Sequence, residues 1–247
     1  MKRTLRIALS ILAIVLSAVT SASSQTGNSL PSADEVVAKM LRGDMKRRSE
    51  LTGYTAVRRY VAVNKDRRAE MVVRVDCLAD GMKQFTTISE GGSSAIRKHV
   101  FYKMLSEESE ASRRELRNGS RITPENYKFS MVRQETLDSG PAYVLAINPK
   151  TDNRYLIDGK IWVDAKDFSI VRIDGQPARN PSFWVRSVHF VHTYQRVGQF
   201  WFGSSTHSTS EVRIFGPSEL TIENTDYALT TPKSSAAEAE SLARLVR

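Results

Sequence analysis

Residues 127–227 carry the feature that most limits how this chain can fold. Short runs rich in β-branched and aromatic residues follow one another with turn residues between them and almost no helical spacing. The runs are 127–136, 143–148, 154–158, 160–163, 168–173, 185–196, 199–208, 210–215 and 220–227. Tight turns can join only antiparallel neighbours, whereas parallel strands need long crossovers, so a doubly wound parallel sheet is excluded. Asp158-Gly159 reads as a two-residue hairpin turn because glycine tolerates positive φ, and residues 164–167 and Val197-Gly198 read as further turns. Upstream, 54–63, 70–79 and 83–89 add three strands. On the middle one Met71, Val73, Val75 and Cys77 share one parity, with Arg74 and Asp76 on the other, which predicts one buried and one exposed face.

Two amphipathic helices interrupt the strands. Ser32-Ala33-Asp34-Glu35 is a capping box, and Val36, Val37, Met40, Leu41 and Met45 recur at helical spacing, predicting a helix over 33–48 with Arg47 and Arg48 favourably placed at its end. After Gly91-Gly92, a second helix is expected over about 95–116. Its apolar stripe is Ile96, Val100, Phe101, Met104 and Leu105, and its second half is charged and expected to run into solvent. The expected class is α+β, mostly antiparallel, with both helices covering one face of a curved sheet.

Lys2, Arg3 and Arg6 precede an uncharged run, residues 7–19, and then Thr20-Ser21-Ala22. This is the pattern of a cleavable secretory signal over residues 1–22, and the run is too short for a membrane span. Residues 23–31 then form a polar leader, 32–230 one folded domain, and 231–247 a flexible tail or short helix. The full chain has a net charge of +9, and removing the three signal cations leaves +6, spread without a stripe of interleaved aromatics. An exported chain of this kind suits the anionic surfaces of a cell envelope rather than nucleic acid. The single cysteine, Cys77, permits neither an intramolecular disulfide nor a lipid anchor at the cleavage site. A soluble periplasmic monomer is expected.

No catalytic set is visible. His189 and His192 are three apart on a strand and so point to opposite faces, with no cysteine or carboxylate cluster to join them in holding a metal. Ser204-Ser205-Thr206-His207 lacks the glycines of a nucleophile elbow. The expectation is a protein that is no enzyme and carries no cofactor. What remains is apolar: Trp162, Phe168, Trp184, Phe190, Phe200, Trp201, Phe202 and Phe215 concentrate on the late strands. A curved sheet plugged by helices either packs solid or encloses an apolar cavity.

The stretch Tyr155-Leu156-Ile157-Asp158-Gly159-Lys160-Ile161-Trp162-Val163-Asp164, followed by Phe168-Ser169-Ile170-Val171-Arg172-Ile173, resembles a hairpin of the periplasmic outer-membrane lipoprotein-sorting family (LolA/LolB-like). The order of elements over 32–227 is similar to that family and to the N-terminal domain of the periplasmic sigma-E regulator. The resemblance implies an incomplete β-barrel with helices on its concave face, without catalytic residues. It also implies a cavity for the acyl chains of lipoproteins or other lipids, with an inner- or outer-membrane protein as a further partner. In that family an arginine holds the lid closed, and here Arg47, Arg58 and Arg97 could each play the part. Parity places Ile161, Val163, Phe190, Phe200, Phe202, Val212 and Ile214 on the concave face, with Val73 and Val75 beside them. Val100 and Met104 on the second helix would cover that face. Two functions stay open: a lipid or lipoprotein carrier or sensor, and an envelope interaction module of the same fold with a closed core.

Overall fold

The structure, a computed structural model, describes residues 30–180, 185–213 and 216–230. The proposed signal, the tail from 231, Trp184, Ile214 and Phe215 lie outside the described residues. Helix α1 (Ala33–Glu50) starts at the expected box: the Glu35 amide donates to the Ser32 hydroxyl at 3.2 Å, and the Ser32 amide donates to the Glu35 carboxylate at 2.8 Å. Two of the orphan amides at the helix start are thereby satisfied.

Ten strands follow: β1 (Gly53–Asn64), β2 (Arg67–Cys77), β3 (Lys83–Gly92), β4 (Tyr127–Leu137), β5 (Gly140–Pro149), β6 (Ile157–Asp164), β7 (Ile170–Pro177), β8 (Val185–Val197), β9 (Phe200–Val212) and β10 (Gly216–Thr230). They form one antiparallel sheet in the order β3-β2-β1-β10-β9-β8-β7-β6-β5-β4. β3 and β4 are its free edges, so the sheet is an incomplete barrel. Every contact between strands is a hairpin except β1 with β10, which joins the three early strands to the seven-strand meander.

Two apolar clusters fill the concave side. Under α1, Val36, Val37 and Met40 meet Tyr127, Leu145, Ile147, Ile161, Val163 and Ile173 from β4–β7. On the other side Phe101 and Leu105 cover Ala56, Tyr60, Met71, Val73 and Val75 of β1 and β2. The β6–β7 hairpin shows how its sequence works. Ile161 and Val163 enter the first cluster, while Trp162 turns to the opposite face beneath the Arg172 guanidinium and donates its indole N–H to Glu135. Asp164 is buried and accepts the amides of Lys166 and Asp167, which fixes the turn.

Three expectations are corrected. Asp158-Gly159 is no turn: Ile157–Asp164 is one strand. Gly159 is needed because a Cβ there would lie 2.2 Å from the Asp174 carbonyl of the neighbouring strand. Residues 199–208 and 210–215 are not separate strands either, since β9 runs unbroken from Phe200 to Val212. The second helix is segmented. A turn, α2 (Ser94–Ile96), leads into a π-helical turn at Arg97–Phe101, then α3 (Tyr102–Ala111), then α4 (Arg114–Ser120) set off by the extended Arg113.

The parity expected for β2 is present: Met71, Val73 and Val75 are fully buried, whereas Arg74 is exposed and pairs with Asp76 at 3.0 Å. Val73→Asp should therefore unfold the protein or cost more than about 4 kcal/mol, as a carboxylate buried without a partner does. Arg74→Ser should change stability by about 1 kcal/mol at most, the range of exposed ion pairs. Chemical denaturation of both variants checks this, and equal tolerance of the two would contradict the assignment of faces.

Candidate functional site

On β1 the inward residues are Ala56, Arg58, Tyr60 and Ala62, so a guanidinium enters an otherwise apolar face at the middle of the sheet. Arg58 Nε donates to Asn224 Oδ1 on β10 at 2.7 Å, and Nη1 donates to the Tyr60 hydroxyl at 3.1 Å and to Glu108 Oε2 at 2.6 Å. Glu108 comes from α3, and its other oxygen accepts from Lys83 Nζ, at the start of β3, at 2.7 Å. The backbone reinforces this join. The Lys83 amide donates to Ser112 Oγ at 3.0 Å, and Ser109 donates to the Lys83 carbonyl at 3.1 Å. One carboxylate thus holds two cations, tying the covering helix to the sheet. Only 11% of the Arg58 side chain is exposed, so breaking the pairing would strand charge in a poorly solvated place.

Burial alone would raise the Glu108 pKa, but the Lys83 and Arg58 charges outweigh it and hold the carboxyl down at about 2. Burial likewise acts to lower Lys83, yet the Glu108 charge prevails and its pKa is raised, as is that of Arg58. Neighbouring His192 differs. Burial, aided by the Arg58 and Lys83 charges, lowers its pKa to about 4, so it is neutral at pH 7, with Nδ1 2.6 Å from Thr206 Oγ1.

These groups line a cavity of about 370 Å³ beneath α3. Tyr54, Phe202 and Tyr227 form its aromatic wall, with ring centroids 5.0 Å (Tyr54–Phe202) and 4.7 Å (Phe202–Tyr227) apart. A second cavity of about 500 Å³ shares Tyr54, Lys83, Trp201 and Phe202 with the first and extends along Leu51, Leu78, Ala79 and Phe200. Cys77 is in its wall, half-buried, and burial raises the thiol pKa. Arg47, Arg48 and Arg117 stand around this outer cavity with Asp44 and Asp80.

Phe200 and Phe202, among the residues singled out in the sequence, are thus brought together in the cavity walls. Ile161 and Val163 are fully buried under α1 with Phe190 packed against them, while Val73 and Val75 are fully buried under Phe101 and Leu105, with Val100 and Met104 alongside. Val212 pairs with Val185 and Gly216 at the far end of β9, away from both cavities, and Ile214 lies outside the described residues. All three candidate latch arginines join a helical segment to the sheet: Arg47 of α1 donates to Ser169 beside β7, Arg97 pairs with Glu90 of β3, and Arg58 of β1, which lines the inner cavity, pairs with Glu108 of α3. Glu108 was expected in solvent with the charged half of its helix. It continues the stripe Phe101, Leu105, Glu108, Ser112, and that 4-3-4 spacing was a signal for an inward carboxylate. His189, at 2.9 Å from Asp174, is exposed on the opposite face from His192.

No family model matches the chain, and no curated protein does. Solved structures that match include a putative outer membrane lipoprotein-sorting protein domain from Vibrio parahaemolyticus, 12% identical with a TM-score of 0.42, covering 81% of this chain and 94% of that one. A LolA superfamily protein from Nitrosomonas europaea is 11% identical over the same shares, with a TM-score of 0.36. MucB in the MucA/MucB complex of Pseudomonas aeruginosa is 9% identical, with a TM-score of 0.25 over 78% of this chain and 93% of that one. These levels of likeness leave function to be read from this chain's own residues.

Two groups of the site are shifted in the acid range. His192 has a folded pKa of about 4 against 6.5 unfolded, so the unfolded chain binds the proton first and stability falls as pH drops from 6.5 to 4. Glu108, about 2 against 4.5, adds a second loss as pH falls from 4.5 towards 2. His192→Gln should flatten the first part of a melting-temperature profile and leave the second. An unchanged slope between pH 6.5 and 4 would contradict the burial of a neutral imidazole.

Proposed function

We propose that this chain is a non-enzymatic carrier or sensor of the periplasm that holds an acyl chain in the paired cavities beneath its covering helix. One observation carries the reading. Between two solidly packed clusters the sheet leaves an aromatic-walled space, and the helix above it, packed at its start by Leu105, is fastened over that space by a polar latch, Arg58–Glu108–Lys83. A core evolved only for stability gains more from filling such a space with interdigitated side chains. A latch of hydrogen-bonded charges on one helix can open as a unit and close again, which is what loading and release require. The resemblance of residues 155–173 to a lipoprotein-sorting hairpin supports the same reading.

A second reading, an envelope interaction module, is favoured by the full burial of Val73, Val75, Ile161 and Val163, which leaves less of the concave face open than their parity allowed. The two readings differ in a simple measurement, because Cys77 is the only thiol of the chain and stands in the outer cavity wall. A fluorescent fatty-acid probe should bind the purified protein. At a fatty-acid concentration tenfold above its Kd, reaction of Cys77 with a maleimide should slow about tenfold, because only about a tenth of the protein remains empty. No probe uptake and no protection of Cys77 would remove the carrier reading and leave the module.

A further inference from the structure

Charge within the inner cavity does not balance. Arg58 and Lys83 bring two cations to one carboxylate, Glu108, and the His192 imidazole beside them is neutral at pH 7. Arg58 is well supplied with partners, having Asn224, Tyr60 and Glu108. Lys83 is not: an ammonium carries three donors, and Glu108 is the one acceptor of its Nζ among the described residues. The same side chain stands in the wall common to both cavities. The walls themselves differ in character. Tyr54, His192, Thr206 and Asn224 make the inner cavity polar, whereas Leu51, Leu78, Ala79 and Phe200 make the outer one an apolar trough.

We infer that the ligand is a single-chain amphiphile with an anionic head, a carboxylate or a phosphate, bound head inward against Lys83 with its chain along the outer trough. This rests on the carrier reading and narrows it. An anion at Lys83 would bring the charges of this half-buried cluster to balance and accept the ammonium's further donors, and a charge-assisted hydrogen bond in a partly desolvated site is among the stronger contacts available to a ligand. A neutral head would leave the surplus cation uncompensated. Volume limits the chain count as well. At about 500 Å³ the outer trough has room for roughly seventeen groups of water's size, ~30 Å³ each, which accommodates one long acyl chain but not two. Arg47, Arg48 and Arg117 outnumber Asp44 and Asp80 around the outer cavity, and this net positive rim would draw an anionic amphiphile towards the opening over the distance that salt permits.

Displacement of the fluorescent fatty-acid probe by dodecanoate and by dodecanol tests the inference, with acetate and inorganic phosphate as anions lacking a chain. Dodecanoate should displace the probe at a concentration at least about tenfold below that of dodecanol, the size expected for a hydrogen bond between charged partners. Lys83→Met should bring the two ligands close to parity by weakening dodecanoate alone, and Lys83→Arg should keep most of the difference. Arg58 remains paired with Glu108 in both variants. Equal affinities in the wild type, or a preference that survives Lys83→Met, would overturn the inference while the carrier reading stands. Displacement by acetate or phosphate at the concentrations effective for dodecanoate would also overturn it, leaving an anion site without a chain. If neither amphiphile binds, the carrier reading itself fails and this one with it. Should Lys83→Met not fold, the wild-type ratio of dodecanoate to dodecanol decides alone.

Discussion

Strand β1 finds its partner at the opposite end of the described chain. The ladder between β1 and β10 sets Arg58 beside Asn224, 166 residues away, and Tyr60 beside Ile222. All other strand pairs are hairpins that could form locally, so this seam alone turns an early three-strand sheet and a late seven-strand meander into one curved surface. Loop-closure entropy grows only slowly with length, and eleven paired positions repay it, though folding that waits for so distant a contact is slow. The seam also brings the β1 arginine, the β9–β10 aromatics and the β8 histidine around one space. Without it no cavity exists, because its walls come from both halves.

The half-buried ion cluster follows from the central position that the seam gives β1. An arginine at the centre of a sheet face cannot be left unpaired, and the nearest element able to supply a carboxylate is the helix that crosses above it. Glu108 meets this need and adds to the apolar packing of Leu105 on α3 a set of charge-assisted hydrogen bonds, with Ser109 and Ser112 bonding to the start of β3. Paired charges of this kind contribute little net stability compared with well-packed apolar residues, but they specify one geometry, and removing one partner is costly. A covering helix fastened in this way has a defined closed state, and its opening exposes charge that water can solvate. The neutral, half-buried His192 places a second polar group on the same wall without adding to the surplus positive charge.

Much of the frame was legible. The capping box located α1, the parity of Met71, Val73 and Val75 settled the faces of β2, and the density of short strands required an open or closed antiparallel sheet. Local reading failed where a residue type has two uses. Asp158-Gly159 looks like a hairpin turn, yet Gly159 is in mid-strand because Gly175 and the Asp174 carbonyl approach too closely for any side chain. The break of the second helix at residues 112–113 had no proline or glycine to announce it. The site was harder still, since Arg58, Lys83 and Glu108 come from three separate elements of the early part and His192 joins them only through the β1–β10 seam. Two signals were nonetheless present: Arg58 shares the parity of Ala56, Tyr60 and Ala62, and Glu108 continues the stripe of Phe101 and Leu105. A charged residue recurring on an apolar face is the mark of a buried pair, and the two halves of this one point at each other.

The central claim is that the space between the two clusters is a ligand site and not an imperfection of packing. Denaturing extraction and mass spectrometry of protein purified from its own envelope without detergent address this directly. The account predicts a single-chain anionic amphiphile released in an amount close to that of the protein. A chain that carries no lipid, and gains none when incubated with fatty acid, would contradict it.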